Sequence, residues 1–241
     1  MTSKSIDLPD LTGQTWLVTG STNGVGLETV RAASRHGARV ILAVRDTARG
    51  REVAAELPGR ARVVELDLAS LDSVRRAAAE LRGDGEAGPE QIDVLVNNAG
   101  TITPRRRETA DGFEMLLAVN VLGPFLFTNL VLPLVRRRVV IVGSNAHKGA
   151  TFDFDDPHFC GARVGGAGAG TGQVRDGRRW SPASAYTQSK LGDMLWGLAL
   201  DARLRDGRAE AGPREWTCSS LTPAGRPPTS PTPPAPQHSI A

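Results

Sequence analysis

The sequence predicts a doubly wound α/β fold, a parallel sheet with helices on both faces, and three observations lead there. Short β-rich runs alternate with helical patterns from residue 15 to residue 221. Those runs are apolar at successive positions, as expected where helices cover both faces of a sheet. The first run is followed by a glycine-rich turn that leads directly into a helical pattern, the arrangement that opens doubly wound folds.

The elements follow in order. Strands are expected at 15–19, 39–44, 62–66, 93–97, 139–143 and 216–221, with helices at 24–36, 46–57, 71–82, 111–135 and 184–205. The strand order expected is 3-2-1-4-5-6. One domain, 1–221, is expected to bind the cofactor and to carry the catalytic residues. Within it, the glycine-rich 161–178 should be a mobile loop. Residues 222–241 are proline-rich, and proline lacks the backbone donor that helix or sheet needs, so an extended or disordered tail is expected.

The formal net charge of +3 comes from arginine, since Lys4, Lys148 and Lys190 are the only lysines. The clusters Arg105-Arg106-Arg107 and Arg136-Arg137-Arg138 lack interleaved aromatics and a binding module, so no nucleic-acid partner is expected. They read as a solvated loop and a basic helix end. Cys160 and Cys218 belong to no common motif, which fits a reduced, cytoplasmic protein. The first ten residues have no apolar signal-like core. The apolar stretch 115–135 contains Asn120, Pro124, Asn129 and Pro133 and reads as a buried helix, with no membrane span.

Chemistry concentrates at the ends of the predicted strands. Gly20, Asn23, Gly24, Val25 and Gly26 form the turn after the first strand, where glycines let the backbone approach a pyrophosphate at a helix N-terminus. Arg45 ends the second strand, where an acid would hydrogen-bond the ribose 2′-hydroxyl of NAD. An arginine there favours NADP over NAD. The adjacent Asp46 either caps the next helix or pairs with Arg45. Asp67 and Leu68 close the third strand, and Asn97, Ala99 and Gly100 lie at the end of the fourth. Asn97 either lines the cleft or satisfies buried backbone groups.

Tyr186 is the only tyrosine, and Lys190 follows four residues later. On a helix the two share one face, where an ammonium favours ionisation of the phenol for proton transfer. Ser144 follows the fifth strand and would polarise a substrate carbonyl. Asn120 lies inside the apolar helix, and Pro124 removes the N–H that its carbonyl would otherwise accept from. The freed carbonyl either holds a relay water or marks a solvated proline kink.

Together these residues resemble the short-chain dehydrogenase/reductase superfamily over residues 11–221, with a Rossmann-type sandwich. Within it the chain looks like the retinol dehydrogenase-like and protochlorophyllide reductase-like branch. Val44-Arg45-Asp46, Ala110-Asp111-Gly112-Phe113-Glu114, Asn120-Val121-Leu122-Gly123-Pro124-Phe125, Ser144-Asn145-Ala146-His147, Asp153-Phe154-Asp155-Asp156 and Tyr186-Thr187-Gln188-Ser189-Lys190-Leu191 carry the likeness. The resemblance implies a tetrad of Asn120, Ser144, Tyr186 and Lys190, with Tyr186 and Lys190 also contacting the cofactor. It implies an NADP-dependent oxidoreductase acting on an alcohol or carbonyl of an apolar small molecule. It also implies self-association through helices 111–135 and 184–205, and no metal. His147 fits the family's non-catalytic serine–x–alanine–histidine pattern.

Two departures stand on the substrate side. Ser144 and Tyr186 are widely separated by the 161–178 insertion. Thr222-Pro223-Ala224-Gly225 interrupts the family's Pro-Gly turn, and no length follows for its substrate lobe and seventh strand. The alternative function is therefore a non-catalytic cofactor-binding or interaction protein.

Overall fold

A computed structural model describes residues 8–83, 90–160, 179–211 and 217–221, with the main chain alone for 207–211 and 217–221. Six parallel strands form one sheet: β1 Thr15–Thr19, β2 Arg39–Val44, β3 Ala61–Glu65, β4 Ile92–Asn97, β5 Val135–Val142 and β6 Thr217–Leu221. Their order is β3-β2-β1-β4-β5-β6, as the sequence predicts. The chain crosses from one half of the sheet to the other after β3, so that the strand order reverses between the neighbours β1 and β4. Open α/β sheets bind ligands at such a reversal, beside the carboxyl ends of the strands.

Successive strand residues point to opposite faces, so two cores form. Leu17, Ile41, Leu95 and Val139 pack with Val74 and Leu81 of α3 (Leu71–Arg82), Phe127 and Val131 of α5 (Gly123–Val131), and Trp196 of α6 (Pro182–Ala211). Their neighbours Val18, Val40, Leu42 and Val96 pack with Val30 of α1 (Gly24–Arg35) and Val53 of α2 (Thr47–Glu56).

Local chemistry sets the helix ends. The Asp46 carboxylate accepts from Arg49 N–H and caps α2, which settles the choice between capping and pairing with Arg45. Ser70 caps α3, and Gly83 ends it at a φ of 75°.

Two expectations change in detail. The single helix at 111–135 is instead α4 (Met115–Leu117), a π-helical turn at Ala118–Leu122, α5, and a 3₁₀ turn at Leu132–Leu134. In the π turn Gly123 N–H reaches back five residues to Ala118 O, which widens the backbone just where Pro124 has no donor. The second correction concerns Arg136, Arg137 and Arg138, which form the exposed start of β5 and not a helix end. The segment Met115–Leu134 is long and apolar enough to cross a membrane by length and composition. Here Leu116, Leu117, Val121, Phe127 and Val131 lie in the protein interior. The expected loop at 161–178 and tail at 222–241 lie outside the described residues.

Candidate active site

The glycine-rich turn joins β1 to α1, and its geometry depends on missing side chains. Gly20 and Gly24 have φ of 65° and 54°, a region costly for L side chains. A Cβ on Gly26 would stand 2.3 Å from Asn98 Nδ2 and 2.5 Å from Gly20 O. Asn23 at the N-cap of α1 makes no side-chain capping bond. The first N–H groups of this helix are therefore free of side-chain capping by Asn23, as an anion-binding helix start requires. Val25 is exposed beside them.

Asn98 and Thr19, sequence neighbours of Asn97 and Gly20, are further residues of the site that no sequence motif marks. Asn98 Nδ2 donates to the carbonyls of Thr19 and Gly20. The Thr19 hydroxyl accepts from the N–H groups of Asn98 and Ala99, each at 3.0 Å. The ends of β1 and β4 are thereby fixed together, which holds the turn in shape.

Arg45 is exposed at the end of β2. Asp67 accepts from Ala69 N–H at 2.9 Å and shapes the turn into α3. Leu68 is buried in the core, so any ligand contact it makes comes from its main chain. Asn97 is buried, and its Nδ2 donates to the Thr128 hydroxyl at 2.8 Å, tying β4 to α5. Its Oδ1 is buried and has no hydrogen-bond partner among the described residues.

Asn120 is buried in the π turn and acts as a clamp. Its Oδ1 accepts from Thr101 N–H at 2.7 Å, and its Nδ2 donates to Thr101 O at 3.0 Å and to Ser189 Oγ at 2.9 Å. It joins the segment after β4 to α6, one residue before Lys190. A Cβ at Gly100 would lie 3.4 Å from Asn120 Oδ1 and 3.6 Å from Lys190 Nζ. Asn120 and Lys190 thus converge on the exposed Gly100 at the carboxyl edge of β4.

Ser144 follows β5 and begins a 3₁₀ turn, Asn145–His147, that packs on α6. Its Oγ accepts from Ala146 N–H at 3.2 Å, which leaves the hydroxyl proton to donate. A ring nitrogen of His147 is engaged with Ser144 O. Tyr186 and Lys190 lie one turn apart on α6, as the spacing predicts. The Tyr186 ring, with Met115 and Trp180, packs on Leu116, Phe159 and Ala185. The buried Glu114 accepts from Trp180 Nε1 at 3.2 Å and from Leu117 N–H at 2.8 Å. Gln188 Nε2 donates to Pro157 O at 3.0 Å, fastening the chain before 160 to the tyrosine helix.

Residues 14–153 match the family described as short chain dehydrogenase. The chain belongs to that family. Polyprenol dehydrogenase of Mus musculus is 39% identical over 217 residues, covering 84% of this chain and 58% of the relative. Retinol dehydrogenase 13 of Homo sapiens is 34% identical over 202 residues, covering 80% and 55%. These relatives place this short-chain dehydrogenase in the retinol dehydrogenase-like branch. The chain spans a little over half the length of the curated relatives it matches. A crystal structure of an uncharacterised Mycobacterium paratuberculosis protein superposes with a TM-score of 0.71 at 38% identity, covering 90% of this chain and 69% of that one. Pseudomonas aeruginosa RhlG in complex with NADP is 28% identical, with a TM-score of 0.59 and coverage of 82% and 69%.

The short-chain dehydrogenase site fits a nicotinamide dinucleotide, on the evidence of its own backbone. The turn has two left-handed glycines and a third with no room for a Cβ, and α1 starts without a side-chain cap. One further site residue was missed. Asp193 Oδ2 lies 2.7 Å from Lys190 Nζ, and both side chains are buried. Burial pushes the Asp193 carboxyl up to about 6, while the Lys190 ammonium and, less, the Trp196 indole pull it back. The indole N–H itself makes no hydrogen bond of normal geometry among the described residues. The folded state holds this proton up to about pH 6, above the ordinary 3.8, so Asp193's contribution to stability falls as pH rises through that window. The signal for the pair was legible as a three-residue spacing on one helix face.

Proposed function

We propose that this protein is an NADP-dependent oxidoreductase that interconverts an alcohol and a carbonyl on an apolar small molecule. The convergence of Asn120 and Lys190 beside Gly100, one helical turn from Tyr186, carries the reading. The bound cofactor would supply the hydride as NADPH in reduction and accept it as NADP⁺ in oxidation. The Tyr186 phenol gives its proton to the substrate oxygen in reduction and takes it back in oxidation. The Ser144 hydroxyl donates to the oxygen as charge develops on it. The Lys190 ammonium lowers the cost of ionising the phenol and would hold the nicotinamide ribose. The main-chain carbonyl of Asn120 is the place for a relay water. Gly20, Asn23, Gly24, Val25 and Gly26 would cradle the pyrophosphate, and Asp67, Leu68, Asn97, Ala99 and Gly100 would border the adenosine and nicotinamide.

An apolar substrate is supported by the names of the relatives, a polyprenol dehydrogenase and a retinol dehydrogenase. Exposed Phe125 on α5 and Leu195 and Leu198 on α6 support self-association along these helices. Sedimentation showing monomer alone would count against it. The inward packing of Leu116, Leu117, Val121, Phe127 and Val131 supports a cytoplasmic protein in which 115–134 does not span a membrane.

NADP is preferred because Arg45 is exposed and Asp46 is committed to capping α2. Arg45→Ala should weaken NADPH by about 1.5–3 kcal/mol, the worth of a charge-assisted contact, and leave NADH nearly unchanged. Calorimetric titration of both cofactors checks it; equal losses for the two would contradict it. The reading as a whole is tested by NADPH oxidation with a panel of apolar aldehydes and ketones. Cofactor binding with no turnover of any member would favour a non-catalytic NADP-binding protein.

A further inference from the structure

Lys190 is not a free cation at the edge of the cleft. Its side chain is 8% exposed, and that of Asp193, one turn further along α6, is 4% exposed. An ammonium has three N–H donors. One goes to Asp193 Oδ2 at 2.7 Å and another to Val142 O at the end of β5, at 3.3 Å. A single donor remains for the tyrosine and for anything bound beside Gly100. A carboxylate this close also offsets part of the positive field of the ammonium, and burial makes that offset large.

We propose that Asp193 is a positioning residue for Lys190: it fixes the ammonium between α6 and β5 and moderates the charge by which Lys190 favours the Tyr186 phenolate. The proposal rests on the reading of Tyr186 as the proton-transfer group. Above about pH 6 Asp193 is ionised and the moderation is in force; below that it is neutral and Lys190 acts unopposed.

The surroundings leave this pair in control. Helix α6 packs against the 3₁₀ turn at Asn145–His147, β5, β6, the π turn and α4. Among the described residues these elements and their caps bring His147, Lys148, Glu114 and Arg136, Arg137 and Arg138. Glu114 is bound to Trp180 and Leu117, and the three arginines are exposed on the early part of β5. Further along α6 itself lie Asp201, Arg203, Arg205 and Asp206, at least two turns beyond Asp193. The charge that acts on Asp193 is that of Lys190.

Because the chain has one tyrosine, its tyrosinate absorbance reports Tyr186 directly and needs no turnover. We expect Asp193→Asn, which keeps the shape and an acceptor for the ammonium, to lower the Tyr186 titration midpoint by about one pH unit. Lys190→Met should raise it. Asp193→Ser, folded by circular dichroism, serves if the asparagine variant does not fold, and should also titrate below the wild type. A midpoint in the folded variants equal to or above that of the wild type overturns the proposal, since a merely structural role changes stability and not this midpoint. A lowered midpoint in a protein that turns over no carbonyl upholds the coupling and removes only the oxidoreductase reading. Turnover with an unmoved midpoint does the reverse.

Discussion

Tyr186→Phe is expected to cut carbonyl reduction by about 10²- to 10⁴-fold, the usual contribution of a positioned general acid, while NADPH affinity falls by no more than the worth of one hydrogen bond, about 0.5–1.5 kcal/mol. The substitution removes one oxygen and keeps the ring that packs, with Trp180 and Met115, on Leu116, Phe159 and Ala185. The fold and the glycine-rich turn should therefore be untouched. Ser144 can still donate to the substrate oxygen, but no other group among those at the cleft is suited to supply the proton. His147, the nearest competitor in sequence, has a ring nitrogen occupied by Ser144 O. Steady-state rates with a reactive aldehyde, beside cofactor titration, separate the two effects. Retention of more than about a tenth of the rate would assign the proton to another group.

Gly26→Ala should cost more for binding than for chemistry. The added carbon would meet Gly20 O at 2.5 Å, a backbone atom held in a turn that Asn98 fixes to β4. Overpacking of this kind costs about 1–3 kcal/mol, and relief requires the turn and the first residues of α1 to part. The N–H groups that would face a pyrophosphate then lose their alignment. NADPH affinity should fall by at least about tenfold, equivalent to ~1.4 kcal/mol. Thermal unfolding and calorimetric titration check the two halves. Wild-type affinity in a folded Gly26→Ala protein would show that the turn does not hold the cofactor. Gly24→Ala is a poorer test, because nothing lies within 4 Å of its added carbon and its left-handed φ alone opposes the change.

Much of the fold was legible because burial on both faces leaves a plain mark. The apolar runs of β1 and β2 lie at their predicted bounds, as does α3 with its capping serine and terminal glycine. The start of β5 was not legible. Arg136, Arg137 and Arg138 are exposed residues of a strand whose pairing with β4 is irregular near Ile92, so they lack the apolar pattern that marks the other strands. The breaks in the 111–135 helix were half legible. Pro124 and Pro133 announce that a regular helix cannot persist, but not that a π turn and a 3₁₀ turn replace it. At the site, residue types and strand ends gave the position of each group. The ties that hold them, Asn98 to Thr19 and Asn120 to Ser189, span 79 and 69 residues. No local periodicity encodes contacts of that range. The Lys190–Asp193 pair does leave a local mark, a three-residue spacing that puts both side chains on one helix face.

The most direct test is transfer of label from C4-deuterated NADPH, prepared separately with deuterium on each face, to a prochiral apolar aldehyde or ketone. One of the two preparations should deliver a single deuterium to the carbinol carbon of the product, and Tyr186→Phe should slow that delivery without changing which face is used. An alcohol product without deuterium from either preparation, or no alcohol formed from any carbonyl by a protein that binds NADPH, would contradict hydride transfer at this site.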